Sequence, residues 1–530
     1  MTPSNVLFHA SVRRSLRVYL RISLARTVLL LTLLTGGGLC VGSASAVELG
    51  AVVARSLENN PGILATRGDV AAARARITAE AAAFDPRFEL ASGLRADRIP
   101  GAAPIDENRS TSVDGRFDVL QPLESGIDVG AGITVEQART SQRFTADGVS
   151  GTQTDPTANT ANLRVFMNMP LGRGRGPEQT LFALTSAELD GEASSADREH
   201  RVAEVVNAVI NAYWRYRAAQ ASLELAEAAE QRRRAFISQI DRLIESDQRP
   251  ASDRNLAMAT LTERISERIS AEQALNAARI ALAELIAVPV EELAALGPAS
   301  SAFPEPAASR VPAIDRSADL LAANRADLRA ADIRHQAAML ALRSAMLDQR
   351  PDLSLNLEAG FASRLDGGST IDILNPDRDY GGPNVGARIN YRWSHGERGV
   401  SARVAEREAL VDANRLNLRA QRNNVLAAIR TSRDDVLSAG QLVGSARDAV
   451  ALFQTTVEGE RVRYSLGVAT LIDLLELEDR LDRAVGARIA SEREHAQALS
   501  RWLFESGQLL VPLDDDAAGF EVRLTPLLTP

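Results

Sequence analysis

The sequence predicts a mainly α-helical protein with a transmembrane β-barrel, built from two structural repeats. Two runs, residues 353–361 and 385–393, alternate apolar and polar side chains without a break. This alternation is typical of β-strands with one apolar and one polar face. The helical stretches beside these runs are far longer than a globular core can use. The same succession of helix, strands and long helices occurs in each half of the chain.

Composition favours long helices over a nucleic-acid-binding domain. The chain has 530 residues, of which 45% are hydrophobic and only 4% aromatic. Alanine, arginine, glutamate and leucine dominate, and this usage is typical of coiled coils. The net charge of −9 gives no support to nucleic-acid binding, which requires a basic patch.

Residues 1–46 predict a signal peptide. Five arginines lie between Arg13 and Arg26, and residues 28–41 form a short apolar segment that ends near the small-x-small site at Ala44 to Ala46. This order is that of an export signal, and the apolar segment is too short to span a membrane as a helix. We expect the mature chain to begin near Val47, after export across an inner membrane.

Cys40 is the only cysteine of the chain, and it has two possible fates. In a lipoprotein it would carry the anchor, but Gly37 and Leu39 stand where a lipobox usually has leucine and a small residue. Otherwise Cys40 leaves with the signal. The mature chain then has neither disulfides nor thiolate chemistry.

Residues 177–287 and 396–510 each predict a long helical hairpin. In each, a stretch of roughly 70 residues that is almost free of proline would form a helix about 100 Å long, and a shorter return helix follows. Apolar residues repeat at spacings of three and four along these helices, which is the register of a coiled coil. The first hairpin carries Val202, Val206, Val209, Tyr213 and Tyr216; the second carries Val436, Ala439, Val443, Ala446, Val450, Phe453 and Val457, and its return helix Leu474, Leu481, Val485, Ile489, Ala496, Leu499 and Leu503. Each buried Val or Leu contributes about 1.5–3 kcal/mol, so seams of this length require neighbouring helices.

The strands occupy residues from about 87 to 170 in the first half, with alternating runs at 88–94, 127–135 and 163–169, and residues 352–362 and 384–394 in the second. The first half thus has more than two strand candidates, which leaves room for an extra hairpin or a long outer loop. An arginine on the lipid-facing side of a strand costs about 2–4 kcal/mol at the bilayer midplane. We therefore expect Arg388, Asn390 and Arg392 to face a watery lumen and Tyr391 and Trp393 to face the lipid interface. No segment after the signal is long and apolar enough for a transmembrane helix, so a spanning chain must form a closed barrel.

Two further expectations concern these strands. Glycine-rich segments at residues 366–369, 379–383 and 148–162 predict exposed loops. A soluble β-sandwich with its apolar faces inward would have the same alternation, although the second half supplies only two strands for it.

The repeats set the domain boundaries. A helix leads to Pro86 in the first half and to Pro351 in the second, and each proline precedes a strand. The predicted units are the first repeat at 47–287, a proline-rich linker at 288–317, the second repeat at 318–510 and a C-terminal tail at 511–530.

Residues 463–476, Arg-Tyr-Ser-Leu-Gly-Val-Ala-Thr-Leu-Ile-Asp-Leu-Leu-Glu, are similar to the second hairpin tip of the TolC-like outer-membrane efflux proteins, also called outer membrane factors. The resemblance extends over the whole chain after the signal. It implies a homotrimer in the outer membrane of a Gram-negative bacterium, with four strands per subunit in one β-barrel and the hairpins in one trimeric periplasmic α-barrel. It also implies that the tips meet a periplasmic adaptor (membrane fusion) protein of an inner-membrane pump.

The resemblance also implies a periplasmic gate. Tyr464 matches the gate tyrosine, Gly467 the glycine turn, Asp473 and Glu476 an acidic ring, and Asp253 an acid that pairs across the closed gate. The chain departs from the family at two positions, since Ala469 stands where a gate arginine is known and Asp247 where glycine is usual. A ring of carboxylates in a narrow pore favours cations, whereas the alternative role for Asp473 is that of an acid at a helix N-terminus.

These features favour a channel over an enzyme. The histidines of the mature chain, His200, His335, His395 and His495, have no second ligand at metal spacing, and we expect no catalytic residue, metal or cofactor. The predicted function is a passive outer-membrane duct of a tripartite efflux or type I secretion system, whose cargo the inner-membrane pump selects. The alternative is a periplasmic coiled-coil scaffold or adhesin that transports nothing.

Overall fold

The computed structural model describes residues 46–101, 105–146, 148–245, 250–289, 292, 296–306, 322–368, 381–393, 398–512 and 520–528. Most of the predicted signal, with Cys40, lies outside these residues, as do Asp247, His395 and residues 379–380 of the loop expected at 379–383. Residues 381–383 of that segment begin a strand instead of a loop. No helix in the described part of the chain has both the length and the apolarity to cross a bilayer.

Long helices dominate the described chain. The α-helices, long and short, are α1 (Leu49–Asn59), α2 (Pro61–Ala81), α3 (Pro177–Thr180), α4 (Phe182–Glu245), α5 (Ser252–Leu285), α6 (Ala326–Leu347), α7 (Arg398–Ser465), α8 (Leu471–Glu505) and α9 (Thr525–Leu528). The 64 residues of α4 and the 68 of α7 correspond to roughly 96 and 102 Å. Each pairs with a return helix, α5 with α4 and α8 with α7, while α2 and α6 cover the remaining lengths of the two long helices.

The strands form one large sheet and one small one. They are β1 (Arg87–Pro100), β2 (Ile105–Pro122), β3 (Asp128–Ala146), β4 (Val149–Thr154), β5 (Ala158–Pro170), β6 (Asp352–Asp366), β7 (Gly381–Arg392), β8 (Leu510–Pro512) and β9 (Phe520–Val522). The large sheet has the order β1-β2-β3-β5-β6-β7, with β4 paired to the end of β3. All of its neighbouring strands are antiparallel.

The sheet corrects two sequence expectations. The resemblance implied four strands, but six strands lie along the path of the sheet and β2 belongs to none of the alternating runs. The segment 148–162, expected to be an exposed loop, instead contains β4 and the start of β5. Of its two glycines, Gly151 packs against the Phe144 ring, where a Cβ would lie 2.5 Å from Cζ.

The main core lies midway along the helices. The heptad residues Val202, Val206, Val209 and Tyr213 are fully buried, and they pack with α1, α5 and α8 in one cluster. The Tyr213 hydroxyl donates to the carbonyl of Val47 at 3.0 Å. The heptad seam of α4 is therefore covered by this chain's own helices at this level.

The described part of the proline-rich linker packs against the helices. Val47 pairs with Ala299 in an isolated bridge, and the Phe303 ring lies 5.4 Å from that of Trp214. Arg447 of α7 binds Glu305 at 2.6 Å. The prolines keep this segment extended, and its side chains fix it to the bundle.

Candidate functional site: the sheet faces and the helical tips

One face of the large sheet is apolar across all six strands of its path. Residues directly opposite each other in an antiparallel pair share a face, so the strand registers define rows across the sheet. One row is Leu90, Phe117, Ile133, Leu163, Phe361 and Pro383, and the next is Phe88, Val119, Ala131, Val165, Ala359 and Val385. Both rows are apolar at every position.

The opposite face is polar. The row between those two on this face is Glu89, Asp118, Gly132, Arg164, Gly360 and Asn384. Arg164 of β5 donates to Asp118 of β2 at 2.9 Å, across the intervening β3. This bridge requires Gly132, because a Cβ there would lie 2.0 Å from the Asp118 carboxylate.

The height of the apolar face is close to that of a membrane band. On β6 it runs from Leu353 to Phe361, roughly 27 Å along the strand at 3.4 Å per residue, and the next two rows on this face contain Ser363 and then Asn159. A tilt of about 40° reduces the apolar height to roughly 21 Å along a barrel axis, most of the apolar band of about 25 Å in such barrels. Beyond it, the same face carries Glu107, whose carboxylate binds Arg98 at 2.8 Å.

The sequence-predicted residues of β7 divide between these faces. Arg388 lies opposite Asn356, Asn390 opposite Ser354 and Arg392 opposite Asp352, all on the polar face. Tyr391 lies opposite Leu353 on the apolar face and is 62% exposed, and Trp393, which follows β7, is 65% exposed.

The second helical tip is a short, well-capped turn between α7 and α8. Gly467 has a φ of +77°, a conformation that glycine adopts without strain, and its N–H donates to the carbonyl of Tyr464 at 3.0 Å. Thr470 and Asp473 form a capping box, in which the Thr470 hydroxyl accepts from the Asp473 N–H at 3.2 Å and the Asp473 carboxylate accepts from the Thr470 N–H at 3.3 Å. Asp473 therefore performs the helix-start role that the sequence offered as the alternative to an acidic ring.

The other predicted gate residues are placed separately. Tyr464 is buried, its ring 5.8 Å from that of Phe236 in α4, in a cluster that also contains Ala469 and joins both tips. Glu476 accepts a hydrogen bond from Arg480, one turn along α8. Asp253 lies in the first turn of α5, and no ion pair of Asp253 occurs among the residues that the structure describes.

An ion-pair cluster that the sequence analysis missed lies about 12 Å along α8 from Leu471. Arg233 of α4, 3% exposed, approaches Asp479 at 3.4 Å and Glu478 at 3.8 Å. Arg264 of α5 binds Asp479 and reaches Asp482 at 3.9 Å. The cluster ties the first hairpin to α8. Its sequence signal is the match between Arg232, Arg233 and Arg234 and the acids from Glu476 to Asp482.

Burial perturbs the titration of this cluster. Burial lowers the pKa of Arg233, and the nearby Glu478 and Asp479 carboxylates only partly offset it. For Arg264 burial acts in the same direction, but Asp479 and Glu267 outweigh it and raise the pKa. Burial raises the pKa of Asp482 despite Arg232 and Arg264. Burial makes the ionised form of Asp482 unfavourable in the folded protein. This cost to the stability of the folded state is therefore lost as the pH falls through the raised pKa of Asp482.

Three large apolar side chains stand exposed around the tip turn. Leu466 is 72% exposed, Val468 66% and Ile472 63%. Exposed apolar clusters of this kind often mark interaction sites. Among the described residues, no group of His, Cys, Asp and Glu side chains could hold a metal ion.

Comparison with known proteins identifies the architecture through structure alone. No protein-family model and no curated protein sequence matches the chain. Among solved structures, the Campylobacter jejuni CmeC outer-membrane channel is 14% identical and has a TM-score of 0.62, with 87% of this chain and 85% of that chain covered. The Vibrio cholerae outer-membrane protein VceC is 15% identical with a TM-score of 0.61, covering 87% and 96%. The chain has the fold of the TolC-like outer-membrane channels.

A third structure agrees. The open state of the Neisseria gonorrhoeae MtrE outer-membrane channel is 15% identical, with a TM-score of 0.59 and coverage of 87% and 88%. At such identities the likeness establishes the TolC-like fold, whereas function must be argued from the site. The TolC-like fold accounts for both features above, a two-faced sheet at one end of long helices and paired tips at the other.

Proposed function

We propose that this chain is the outer-membrane duct of a tripartite efflux or type I secretion system in a Gram-negative bacterium. Three copies form one β-barrel in the outer membrane and one α-barrel that extends into the periplasm. Cargo delivered by an inner-membrane pump passes through the duct passively, without catalysis by this chain.

The observation that carries the proposal is the sheet with an apolar face and a charged face. The apolar face carries strongly exposed side chains in the single chain, among them Leu90 and Val385, each more than 80% exposed. Turning Arg164 towards lipid would cost about 2–4 kcal/mol at the midplane, and turning Arg388 and Arg392 would cost less as each lies closer to the interface. The favoured arrangement directs the apolar face to lipid, with Tyr391 and Trp393 at its interface, and the polar face to a lumen.

Electrical measurement tests the duct directly. The protein, extracted from outer membranes in detergent and added to a planar bilayer, should form discrete channels and migrate as a trimer before heating. A periplasmic scaffold or adhesin would give no conductance. A soluble monomer whose apolar face lines a dry interior would contradict the proposal outright.

We assign adaptor docking to the exposed apolar side chains of the tip. Changing Leu466, Val468 and Ile472 together to serine should weaken binding of the cognate periplasmic adaptor at least ten-fold, since each buried apolar side chain is worth about 1.5–3 kcal/mol. Binding is measured by co-purification of the two proteins, and single-channel conductance should stay unchanged. Leu452→Ser, which removes a 71% exposed side chain distant from the turn, is the control. Equal loss in both variants would contradict this assignment.

We also propose that Tyr464, Gly467, Asp473, Glu476 and Asp253 belong to a periplasmic gate. In a threefold ring, Asp473 and Glu476 would concentrate negative potential at the narrowest point. Tyr464 and Ala469 form part of the apolar contact between the two tips. Arg233 and Arg264, which pair with the acids of α8, take the place of the gate arginine that the family has at the position of Ala469.

The acidic ring predicts cation selectivity. The variant with Asp473→Asn and Glu476→Gln removes both charges while its amide oxygens still accept hydrogen bonds, so the start of α8 is preserved. We expect the reversal potential in a KCl gradient to shift towards zero, and the affinity of a blocking trivalent cation to fall about ten-fold. Asp412→Asn, an exposed site on α7 far from the tip, is the control. Unchanged selectivity in the double variant would remove these carboxylates from the constriction.

A further inference from the structure

The sheet contains one complete hairpin more than the resemblance implied. β1 and β2 pair without interruption from Arg87 with Leu120 to Pro100 with Glu107. The hairpin begins and ends at the helical side of the sheet, as do β3 with β5 and β6 with β7. The chain would therefore keep the same connectivity without β1 and β2, and their presence requires an explanation.

The side chains of this hairpin match those of the remaining wall. Its apolar face continues the two apolar rows, with Phe88 and Leu90 on β1 and Phe117 and Val119 on β2. Its polar face contributes Asp118, which binds Arg164 across β3. A hairpin lying outside the barrel would bring its polar face against lipid and lose the lumen position of this ion pair.

The sheet edges indicate what completes the wall. β1 and β7 are the two edges of the path, and in hydrocarbon their unpaired N–H and C=O groups must find partners. Because five antiparallel pairings separate them, β1 and β7 run in opposite directions. β7 of one copy can thus pair with β1 of the next in the antiparallel sense, and repetition of this head-to-tail contact closes a ring.

We propose that β1 is the strand through which each copy joins the next, so that every copy adds six strands to the barrel wall. This inference depends on the proposed trimeric duct. Three copies then give 18 strands. With strands about 4.8 Å apart and tilted by about 40°, the backbone diameter is about 36 Å, compared with about 24 Å for a wall of four strands per copy. The wider wall would pass bulkier cargo at the outer membrane.

Cross-linking between copies tests the edge assignment. Each test protein carries Cys40→Ser and two introduced cysteines, one on β1 and one on β7. The β1 cysteine is Phe88→Cys, Leu90→Cys or Leu94→Cys, and the β7 cysteine is Val385→Cys or Ile389→Cys. All of these positions lie on the apolar face, so a short lipid-soluble bismaleimide reaches them equally. At least one combination should convert monomers into dimers and trimers on denaturing gels, whereas each single-cysteine variant should yield no species beyond a dimer.

The matched comparison combines Ile133→Cys on β3 with the same β7 cysteines. If each copy contributed only four strands to the wall, β3 and not β1 would be the edge strand. Links from β3 to β7 in a channel-forming trimer, with none from β1 to β7, would overturn the inference while the proposed duct stands. A protein that yields no link of either kind and remains monomeric without conductance would remove the duct as well.

Discussion

Leu163→Arg is expected to abolish stable insertion of the protein into a bilayer, whereas Asn162→Arg, one residue earlier on β5, should insert normally. Leu163 lies in an apolar row between Ile133 and Phe361, and Asn162 lies on the polar face between Thr134 and Ala362. An arginine facing lipid near the midplane costs about 2–4 kcal/mol per copy, so three copies lose roughly 6–12 kcal/mol.

The pair of variants is compared by urea extraction of membranes and by the heat-sensitive trimer band on gels. Asn162→Arg serves as the control for the added charge and size. If Leu163→Arg inserted while Asn162→Arg failed, the faces would be reversed and the apolar side would line the interior. If both inserted equally, the sheet would not lie in lipid.

The second large effect concerns the proposed gate at the tips. Arg233→Met should raise the open probability of the channel at least ten-fold, because it removes the buried cation that joins α4 to Glu478 and Asp479. Removing one partner from a buried ion pair costs about 3–5 kcal/mol, and less is expected here since Asp479 is 38% exposed. Every 1.4 kcal/mol lost from the closed state changes the equilibrium ten-fold.

Single-channel recording gives the open probability, and thermal unfolding shows that the bundle remains folded. Arg254→Met is the matched control, because Arg254 binds Asp241 at 2.9 Å within the first hairpin and does not tie it to α8. Equal open probabilities in a folded Arg233→Met protein and in the parent would show that the cluster does not hold the tips together.

The helical part was predictable because its signal is periodic. Val202, Val206 and Val209 follow the heptad spacing, and the structure buries all three. Asp473 was harder, since the sequence allowed both a cap and a gate acid. The observed capping box establishes the first role, and the second remains a prediction for the trimer.

β2 escaped prediction because only part of it faces an apolar environment. Its later half alternates, with Val113, Phe117 and Val119 on the apolar face. Its first half carries Glu107 and Arg109 on that same face, beyond the apolar rows, so apolar and polar residues no longer alternate there. The segment 148–162 misled for the same reason, since strand segments outside the apolar rows lack the alternation by which strands are recognised.

By itself, the sequence determined the class of most segments other than β2 and residues 148–162: which stretches form long helices, which of the other strands have one apolar face, and where the second tip turns. These properties depend on neighbours a few residues apart. Only the tertiary structure decided that β1 and β2 extend the sheet to six strands along its path, that Gly132 lets Asp118 reach Arg164, and that Arg233 meets acids some 246 residues away. Such pairings depend on how strands and helices are arranged in space, which no local pattern of side chains specifies.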